Sequence, residues 1–317
     1  MPRTEPTILV SADVAAERLA DIAAAAPGAT ILHGNDGASF ERHLPQAQIV
    51  AGSVPQRVLA QAEHLKWVHS WAAGPDHQLY PEFAAHTAML TSSAGNGAVP
   101  LAEHAMMLML MLNRNALRWI DSQRAHRWDR FTHAELNGLT LGIIGAGHSG
   151  TDLALKAKAF HMRVLGLRRS DRPAPNFDQF FQREQLHAML EQCDFVVVTA
   201  PLTPETKGMI DKAALAAMKP SAFIVCFSRG GIIDDAALLS ALQDGRLAGA
   251  GLDAHGQEPL PAESPFWDLP NTLITPHNGA TTEATRERGF AIFLDNLRRY
   301  VAGRDDFVNR VDKAAGY

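Results

Sequence analysis

Three glycines near the middle of the chain have a spacing that suits phosphate binding. Gly145, Gly147 and Gly150 form a GxGxxG pattern, between the apolar run 139–144 and the helical pattern 149–160. Glycines so placed permit a tight turn, a close approach of the backbone to a pyrophosphate, and close packing of helix against strand. The free N–H groups at the start of the helix favour phosphate. The pattern therefore predicts a dinucleotide-binding turn, and an ordinary glycine turn is the alternative.

The end of the next predicted strand, residues 163–167, indicates which dinucleotide binds. NAD-binding domains usually place an Asp or Glu there, about 20 residues past the glycines, to bond the ribose 2′-hydroxyl. This chain has Arg168, Arg169 and Ser170, starting 18 residues beyond Gly150. A guanidinium matches a 2′-phosphate, whereas a carboxylate repels it. We therefore expect NADP as the preferred cofactor and NAD as the second option, against the alternative of a solvated basic strand end.

Three later segments carry polar side chains directly after predicted strands, where open α/β sheets gather their sites. They contain Arg229, Glu258 and His277. Arg229 can bind a substrate carboxylate and polarise its carbonyl. His277 can donate a proton near neutral pH, and Glu258 can bond the other ring nitrogen. Each residue has an ordinary structural reading, but together they predict a shared active site for hydride transfer to a 2-oxo acid.

The elements that would position these residues alternate along the chain. The predicted strands are residues 7–10, 48–51, 67–71, 139–144, 163–167, 195–199, 222–227, 248–252 and 273–275. The predicted helices are residues 14–26, 55–63, 99–117, 149–160, 183–192, 212–218, 235–244 and 282–301. Alternation of strand and helix predicts parallel sheets with helices on both faces. The six predicted strands after residue 138 already form a complete second domain. We therefore assign the last predicted helix, residues 282–301, to the first domain.

Composition excludes several classes of protein. The 317 residues carry 34 acidic and 29 basic side chains, a net charge of −5, which leaves no electrostatic footprint for nucleic acid or an anionic membrane. The two cysteines, Cys193 and Cys226, suit a reducing compartment. The apolar run 105–112 is far shorter than the ~20 residues of a membrane span. We expect a cytoplasmic protein with no metal site and no nucleic-acid or membrane partner.

Taken together, the motifs resemble the D-isomer-specific 2-hydroxyacid dehydrogenase family over nearly the whole chain. The matching stretches are GAGHSG at 145–150, PLTPETKGMID at 201–211, SRGGIID at 228–234, D-x-x-x-x-E-P at 253–259 and WDLPNTLITPH at 267–277. The resemblance implies that Arg229, Glu258 and His277 are the catalytic set and that Asp253 holds the nicotinamide carboxamide. SWAAGPD at 70–76 is similar to the family's Ala-Gly-x-Asp loop, which implies that Ala73 and Gly74 bind the substrate carboxylate.

The resemblance also implies the fold class and the cofactor site. We predict an α/β chain of two doubly wound parallel-sheet domains, with a Rossmann cofactor domain (99–278) inserted into a flavodoxin-like substrate domain (1–98 and 279–317). The predicted cofactor contacts are Gly145, Ala146, Gly147, His148, Ser149, Gly150, Arg168, Arg169, Ser170, Pro201, Thr206, Phe227, Ser228, Arg229, Asp253, His277 and Gly279. The predicted substrate contacts are Ala73, Gly74, Arg229 and His277.

Three positions depart from the family pattern. Cys226 stands where Asn is usual, His255 where Phe is usual, and Ser149 where an apolar residue usually packs. Cys226 is either a thiol near the cofactor or a small buried filler. None of the three removes a catalytic group, so the reaction is unaffected and only the fine substrate geometry is put in question.

Within the family, the chain is similar to the glyoxylate/hydroxypyruvate reductase branch, whose members tend to prefer NADPH. We expect a small 2-oxo acid as substrate and, since the chain ends at Tyr317, no appended regulatory domain. A dinucleotide-sensing, corepressor-like binding protein is one alternative. A family dehydrogenase acting on phosphite or formate is another. Trp71 and Trp267 either line the substrate pocket or pack in the core or at an interface.

Residues 113–135 mix cations with aromatic side chains. Such mixing is one signature of nucleic-acid binding, but the net charge and the fold class argue against it. In the family the corresponding region is an arm that embraces a second subunit. The resemblance therefore implies a homodimer with this arm at its interface.

Overall fold

The protein is described by a computed structural model that covers residues 5–11, 13–169 and 174–316. The chain divides into two compact units, the first formed by Met1–Asn96 with Thr282–Tyr317 and the second by Gly97–Thr281. Ser170, one of the predicted cofactor contacts, lies outside the described residues.

The first unit begins with a five-stranded parallel sheet. Its strands are β1 Thr7–Ser11, β2 Thr30–Gly34, β3 Ile49–Ala51, β4 Trp67–Ser70 and β5 Met89–Ser92. Its first helices are α1 Leu19–Ala25, α2 Gly37–His43 and α3 Pro81–Ala85. The strand order β2-β1-β3-β4-β5 is the flavodoxin-like order.

The second unit contains a seven-stranded parallel sheet. Its strands are β6 Thr140–Ile144, β7 Arg163–Leu167, β8 Gln179–Phe181, β9 Phe195–Val198, β10 Phe223–Cys226, β11 Gly249–Leu252 and β12 Thr272–Ile274. Its helices are α4 Ala98–Asn113, α5 Ala116–Arg124, α6 His148–Ala159, α7 Leu186–Leu190, α8 Lys212–Ala217 and α9 Asp235–Gln243. The strand order is β12-β11-β10-β9-β6-β7-β8, so the chain reverses its direction of winding between β6 and β9. Such a switch point is where open α/β sheets bind ligands.

The closing helix α10, Glu283–Val301, belongs to the first unit. Its N-terminus is capped by Thr282, whose hydroxyl accepts a hydrogen bond from the N–H of Thr285 at 3.1 Å. Its apolar face packs on the sheet, where Tyr300 stacks against Trp67 with ring centroids 5.6 Å apart. Burial of such aromatic surface stabilises the unit by roughly 1.5–3 kcal/mol for each side chain.

Apolar clusters cover both faces of both sheets, as a doubly wound fold requires. The predicted fold class is therefore confirmed. Three strands were not predicted, β2, β5 and β8, and each is an edge strand of its sheet. Their sequences, TILHG, MLTS and QFF, contain polar residues, so these strands lack the continuous apolar run that indicated the others.

Several predicted helices are shorter than their patterns suggested. The single helix expected over 99–117 is wrong, because α4 ends at Asn113 and α5 begins at Ala116. Asn115 between them adopts φ +49°, a left-handed conformation that asparagine tolerates better than most residues. The segments expected at 14–26, 55–63 and 183–192 consist wholly or partly of 3₁₀-helix.

Among the described residues, we find no helix with the length and apolar character needed to cross a membrane.

Candidate active site

The glycine turn after β6 has the geometry of a phosphate cradle. Gly145 adopts φ +109°, and a Cβ there would lie 2.8 Å from the backbone nitrogen of Ala200. A Cβ on Gly150 would lie 2.1 Å from the carbonyl oxygen of Gly145, so only glycine allows α6 to start this close to β6. A Cβ on Gly147, by contrast, would meet nothing within 4 Å, which leaves open space beside the backbone.

The first turn of α6 lies directly over this space. Gly147 is the N-cap residue of α6. Because glycine has no side chain, no cap hydrogen bond occupies the first N–H groups of the helix. His148 and Ser149 occupy the first turn, with His148 exposed, and Ala146 lies in the turn itself. Exposed N–H groups at a helix start bind phosphate. The residues present therefore fit the pyrophosphate of a dinucleotide.

The two arginines of the predicted 2′-phosphate site follow β7 directly. The guanidinium carbon of Arg168 lies 3.5 Å from the ring centroid of Phe180 on β8, and its backbone N–H donates to the carbonyl of Phe181 at 3.2 Å. Arg169 is exposed. The strand end thus carries two cations and no carboxylate at the position that selects between NAD and NADP.

The segment after β9 forms a compact turn. The hydroxyl of Thr206 donates to the carbonyl of Pro201 at 2.7 Å and accepts from the N–H of Thr203 at 2.8 Å. The Thr206 hydroxyl therefore shapes the turn. The cofactor contacts predicted for Pro201 and Thr206 stay predictions.

The segment after β10 carries the predicted catalytic arginine. Phe227 is buried, whereas Ser228 and Arg229 are half-buried. Arg229 donates from Nη1 to the carbonyl of Ser228 at 2.8 Å, and its own carbonyl accepts from Cys226 Sγ at 3.6 Å. Burial raises the pKa of the Cys226 thiol to about 11, which keeps it protonated and makes it a weak donor.

Asp253, at the end of β11, organises the loop after β12. Its side chain has 0% exposure, and its carboxylate accepts three hydrogen bonds, from the Thr275 hydroxyl at 2.6 Å and from the N–H groups of Asn278 and Gly279, both at 3.1 Å. A buried carboxylate needs such donors to offset its lost hydration. These bonds fix the loop that carries His277. A contact of Asp253 or Gly279 with the nicotinamide stays a prediction.

His104 supports the same loop and was not predicted to take part. It lies in α4, and its Nε2 is 3.0 Å from the Thr275 hydroxyl oxygen and 3.6 Å from an oxygen of Asp253. The available signal was a histidine inside an otherwise apolar helix, at the start of the run 105–112. Its partners come from β11 and the segment after β12, more than 140 residues away in the sequence, so no local pattern indicates them.

His277 and Glu258 form the pair that the sequence predicts. Nδ1 of His277 lies 2.8 Å from Oε2 of Glu258, and the other carboxylate oxygen accepts from the N–H of His255 at 2.9 Å. Burial alone raises the pKa of Glu258, but the hydrogen bonds from His255 and His277 outweigh it and hold that pKa below its ordinary value. An ionised carboxylate only accepts hydrogen bonds, so Nδ1 carries a proton and Nε2 is the nitrogen that can face a substrate.

The predicted substrate loop lies in the first unit, after β4. Ala73 is exposed and Gly74 is half-buried. Trp71 donates from Nε1 to the Ser11 hydroxyl at 3.2 Å and packs on aromatic rings of its own unit, and Trp267 in the second unit donates to the carbonyl of Pro261 at 2.9 Å. Their role as substrate contacts stays a prediction.

The chain matches the family model described as D-isomer specific 2-hydroxyacid dehydrogenase, NAD binding domain, over residues 106–279. A D-3-phosphoglycerate dehydrogenase from Mycobacterium leprae is 32% identical over 94% of this chain, but the match covers only 57% of that relative. The chain thus spans little more than half the length of this curated relative.

Two solved structures extend the likeness to the whole fold. A D-isomer specific 2-hydroxyacid dehydrogenase family protein from Aeromonas salmonicida has a TM-score of 0.89 and 33% identity, covering 98% of this chain and 100% of that one. An NADPH-dependent glyoxylate/hydroxypyruvate reductase from Sinorhizobium meliloti, in complex with NADP and sulfate, has a TM-score of 0.85 and 30% identity, covering 99% and 100%. The chain belongs to the D-isomer specific 2-hydroxyacid dehydrogenase family, and its members are oxidoreductases.

Proposed function

We propose that this chain reduces a small 2-oxo acid, of the glyoxylate or hydroxypyruvate kind, to the D-2-hydroxy acid with NADPH. One observation carries the proposal. The Nδ1–carboxylate bond between His277 and Glu258, at 2.8 Å, leaves Nε2 as a proton donor in the same unit as the phosphate-binding turn.

The residues of this chain have separate tasks in the proposed reaction. NADPH held at the glycine turn and the end of β7 would supply the hydride, two electrons and a hydrogen, that the carbonyl carbon accepts. His277 in its protonated form gives the Nε2 proton to the carbonyl oxygen, which forms the new hydroxyl and leaves a neutral imidazole. Glu258 stays ionised and stabilises the imidazolium beforehand. Arg229 polarises the carbonyl and pairs with the substrate carboxylate.

Preference for NADPH is supported by the residues at the end of β7. Arg168 and Arg169 stand where an acidic residue would bind the 2′-hydroxyl of NAD, and two guanidinium groups favour the 2′-phosphate instead. The Sinorhizobium meliloti reductase, 30% identical, carries NADP. NAD remains the second option for the cofactor.

The substrate is the finer part of the proposal. The relatives' names include both a phosphoglycerate dehydrogenase and a glyoxylate/hydroxypyruvate reductase. The likeness to the reductase covers 99% of this chain with a TM-score of 0.85, and it supports the smaller 2-oxo acid.

A panel of 2-oxo acids, each assayed with NADPH and with NADH, tests the proposal. We expect the highest kcat/KM with glyoxylate or hydroxypyruvate and NADPH, and a large loss in His277→Asn. Greater activity with 3-phosphohydroxypyruvate or with a larger 2-oxo acid would overturn the substrate assignment. Turnover of the wild type no faster than that of His277→Asn would overturn the reductase itself and favour a dinucleotide-sensing protein.

We also propose that the chain forms a homodimer through residues 113–135. Trp128 in this segment is 92% exposed, and Trp is one of the residue types enriched at protein interfaces. The segment is nevertheless ordered by its own contacts, since Arg118 forms a two-pronged bond with Asp129 at 2.7 and 3.0 Å and stacks over Phe131. A cavity of about 410 Å³ lies beside these residues.

Analytical ultracentrifugation tests the dimer. We expect a dimer at micromolar concentration for the wild type and a shift toward monomer for Trp128→Ser, because buried Trp side chains often dominate interface energies. Only monomers in the wild type would overturn the proposal. An unchanged dimer in Trp128→Ser would place the interface elsewhere on the chain.

A further inference from the structure

Arg168 does not project freely into solvent. It lies on the face of an aromatic ring, with its guanidinium carbon 3.5 Å from the ring centroid of Phe180. This is the shortest of the cation–ring distances among the described residues. Phe180 is supported in turn by Phe177, whose ring centroid is 4.7 Å away. The arginine thus rests on the ring of Phe180, which packs against the tilted ring of Phe177 with an angle of 34° between their planes.

The sequence leaves room for this stack at Gly166. Gly166 on β7 pairs with Phe180 on β8, and a Cβ at Gly166 would lie 2.7 Å from the ring of Phe180 and 2.8 Å from that of Phe177. Residues two apart in a strand face the same side of the sheet, so the Phe180 ring that covers Gly166 can also contact the side chain of Arg168. Any larger residue at position 166 would push the rings away.

Stacking fixes the plane of the guanidinium and leaves its N–H groups at the edge. The Nε atom of Arg168 is buried and makes no hydrogen bond to the described part of the chain. A buried donor without a partner is unfavourable, and an arriving acceptor would remove that cost. A phosphate oxygen is such an acceptor, and a guanidinium held in one orientation loses less entropy on binding it.

We propose that Phe180 is a positioning residue for cofactor selection, holding Arg168 flat so that its N–H edge meets the 2′-phosphate of NADP. The inference rests on the proposed preference for NADPH and adds a residue that positions Arg168 for it. It also gives the edge strand β8 a task, because β8 brings the ring beneath the arginine. The predicted ligand chemistry is a 2′-phosphorylated adenosine.

Dissociation constants for NADPH, NADH, 2′,5′-ADP and 5′-AMP, measured by calorimetry, test this role without any turnover. For Phe180→Leu we expect NADPH and 2′,5′-ADP to bind about three- to tenfold more weakly, the size of a partly exposed cation–π contact. NADH and 5′-AMP should change by less than about twofold, because neither carries the phosphate that Arg168 meets. Phe180→Tyr keeps a ring and should retain the wild-type affinities.

Phe131→Leu is the matched control. Phe131 also lies beneath an arginine in the second unit, with Arg118 at 4.3 Å from its ring centroid, and belongs to the 113–135 segment. Its replacement should leave the affinity ratio between NADPH and NADH unchanged. Should Phe180→Leu fail to fold, Arg168→Lys serves instead, because an ammonium keeps the charge but lacks the flat fork. It should lose most of the same ratio.

The outcomes separate the two proposals. A wild type that binds NADH as tightly as NADPH overturns the proposed cofactor preference. A wild type that prefers NADPH, with an unchanged ratio in Phe180→Leu, overturns the positioning role of Phe180 alone. Equal weakening of all four ligands would also overturn that role, since it would mean that the ring only stabilises the sheet edge.

Discussion

Two histidines, one in each unit, show how environment separates a structural imidazole from a reactive one. His69, at the end of β4, is fully buried, and burial lowers its pKa to about 3. His277, after β12, is 37% exposed and bonds a carboxylate. The residue type is the same, but His69 is held neutral, whereas His277 keeps a nitrogen that can exchange a proton with a ligand.

The hydrogen bonds around His69 assign its protons. The indole N–H of Trp67 can only donate, so the Thr91 oxygen accepts it at 2.8 Å. The other described partner of the Thr91 hydroxyl is Nδ1 of His69, at 2.8 Å, which therefore accepts. Nε2 then carries the proton and donates to the Ser93 hydroxyl at 3.3 Å, which donates to the carbonyl of Ser70. Both ring nitrogens of His69 therefore have hydrogen-bond partners, and neither is available to exchange a proton with a ligand.

The hydrogen bonds around His277 leave one ring nitrogen unoccupied. The Glu258 carboxylate accepts the hydrogen bond from Nδ1, and Nε2 has no hydrogen-bond partner among the described residues, so Nε2 stays available. Hydroxyl partners and full burial thus fix a proton in place, while an ionised carboxylate and partial exposure prepare it for transfer. The difference predicts that changes at His277 affect the rate, whereas changes at His69 affect stability and its dependence on pH.

The largest effect is expected at His277. His277→Asn should lower kcat by about 10²- to 10⁴-fold, the usual contribution of a general acid, with little loss of stability. Asparagine is the suitable replacement because His277 adopts φ +50°, a conformation that asparagine also tolerates. Steady-state kinetics measure the loss, and His64→Asn, at an exposed position of the first unit, is the control. Wild-type kcat in His277→Asn would remove the distinction between the two histidines.

A smaller loss is expected when the carboxylate is neutralised. Glu258→Gln should lower kcat/KM by about ten- to a hundredfold near neutral pH, a part of the acid–base contribution, because an amide cannot stabilise the imidazolium. The comparison variant is Glu191→Gln, which changes an exposed acid elsewhere in the same unit.

The pH dependence of stability should change in the same variant. The folded pKa of Glu258 is lowered, so its contribution to stability is full above the unfolded value of about 4.5 and is lost as the pH falls through the folded pKa. Denaturation of Glu258→Gln should therefore depend less on pH in the acid range than that of the wild type. Identical acid profiles would show that the pair contributes nothing to folding.

His69 should affect how the free energy of unfolding depends on pH. Its folded pKa of about 3 lies below the ordinary 6.5, so between these values the unfolded chain binds a proton that the folded chain does not. Stability therefore falls as the pH falls, by roughly 2 kcal/mol between about pH 7.5 and about pH 5 from this group.

His69→Gln separates the two contributions of that residue. The variant should be less stable near pH 7.5 by about 1–3 kcal/mol, since buried partners lose their bonds, yet its stability should vary less with pH. Urea unfolding at several pH values measures both quantities. Equal slopes in the variant and the wild type would mean that His69 does not stay neutral in the folded chain.

The sequence predicted the features that depend on local pattern. The glycine turn follows from the spacing of Gly145, Gly147 and Gly150, and the pairing of Glu258 with His277 follows from polar residues after neighbouring strands. Both lie where a buried central strand ends. The apolar runs of those strands are strong enough to place the segments that follow them.

Features that depend on distant partners could not be predicted. His104 is recognised only when Asp253 and Thr275 are brought to it, and the neutral state of His69 depends on its full burial in the folded chain. The edge strand β8, with the sequence QFF, has only two consecutive apolar residues, so it was not recognised, and the stacking of Arg168 on it was missed as well. These contacts join residues that are far apart in the sequence, so no short stretch of sequence indicates them.

The smallest effect is expected at the two thiols. Burial raises the pKa of a thiol, whereas it lowers the pKa of the His69 imidazole. Burial disfavours the charged form in both cases, and for a thiol that form is the deprotonated one, so the pKa rises to about 11 at Cys226 and about 12 at Cys193. Since the thiolate is the nucleophile, iodoacetamide near pH 8 should leave both unmodified and the activity unchanged. Mass spectrometry of native and urea-unfolded protein measures the labelling. Rapid native labelling of Cys226 would mean that the segment beside Arg229 opens to solvent, and burial would then fail as the common cause that keeps Cys226 and His69 uncharged.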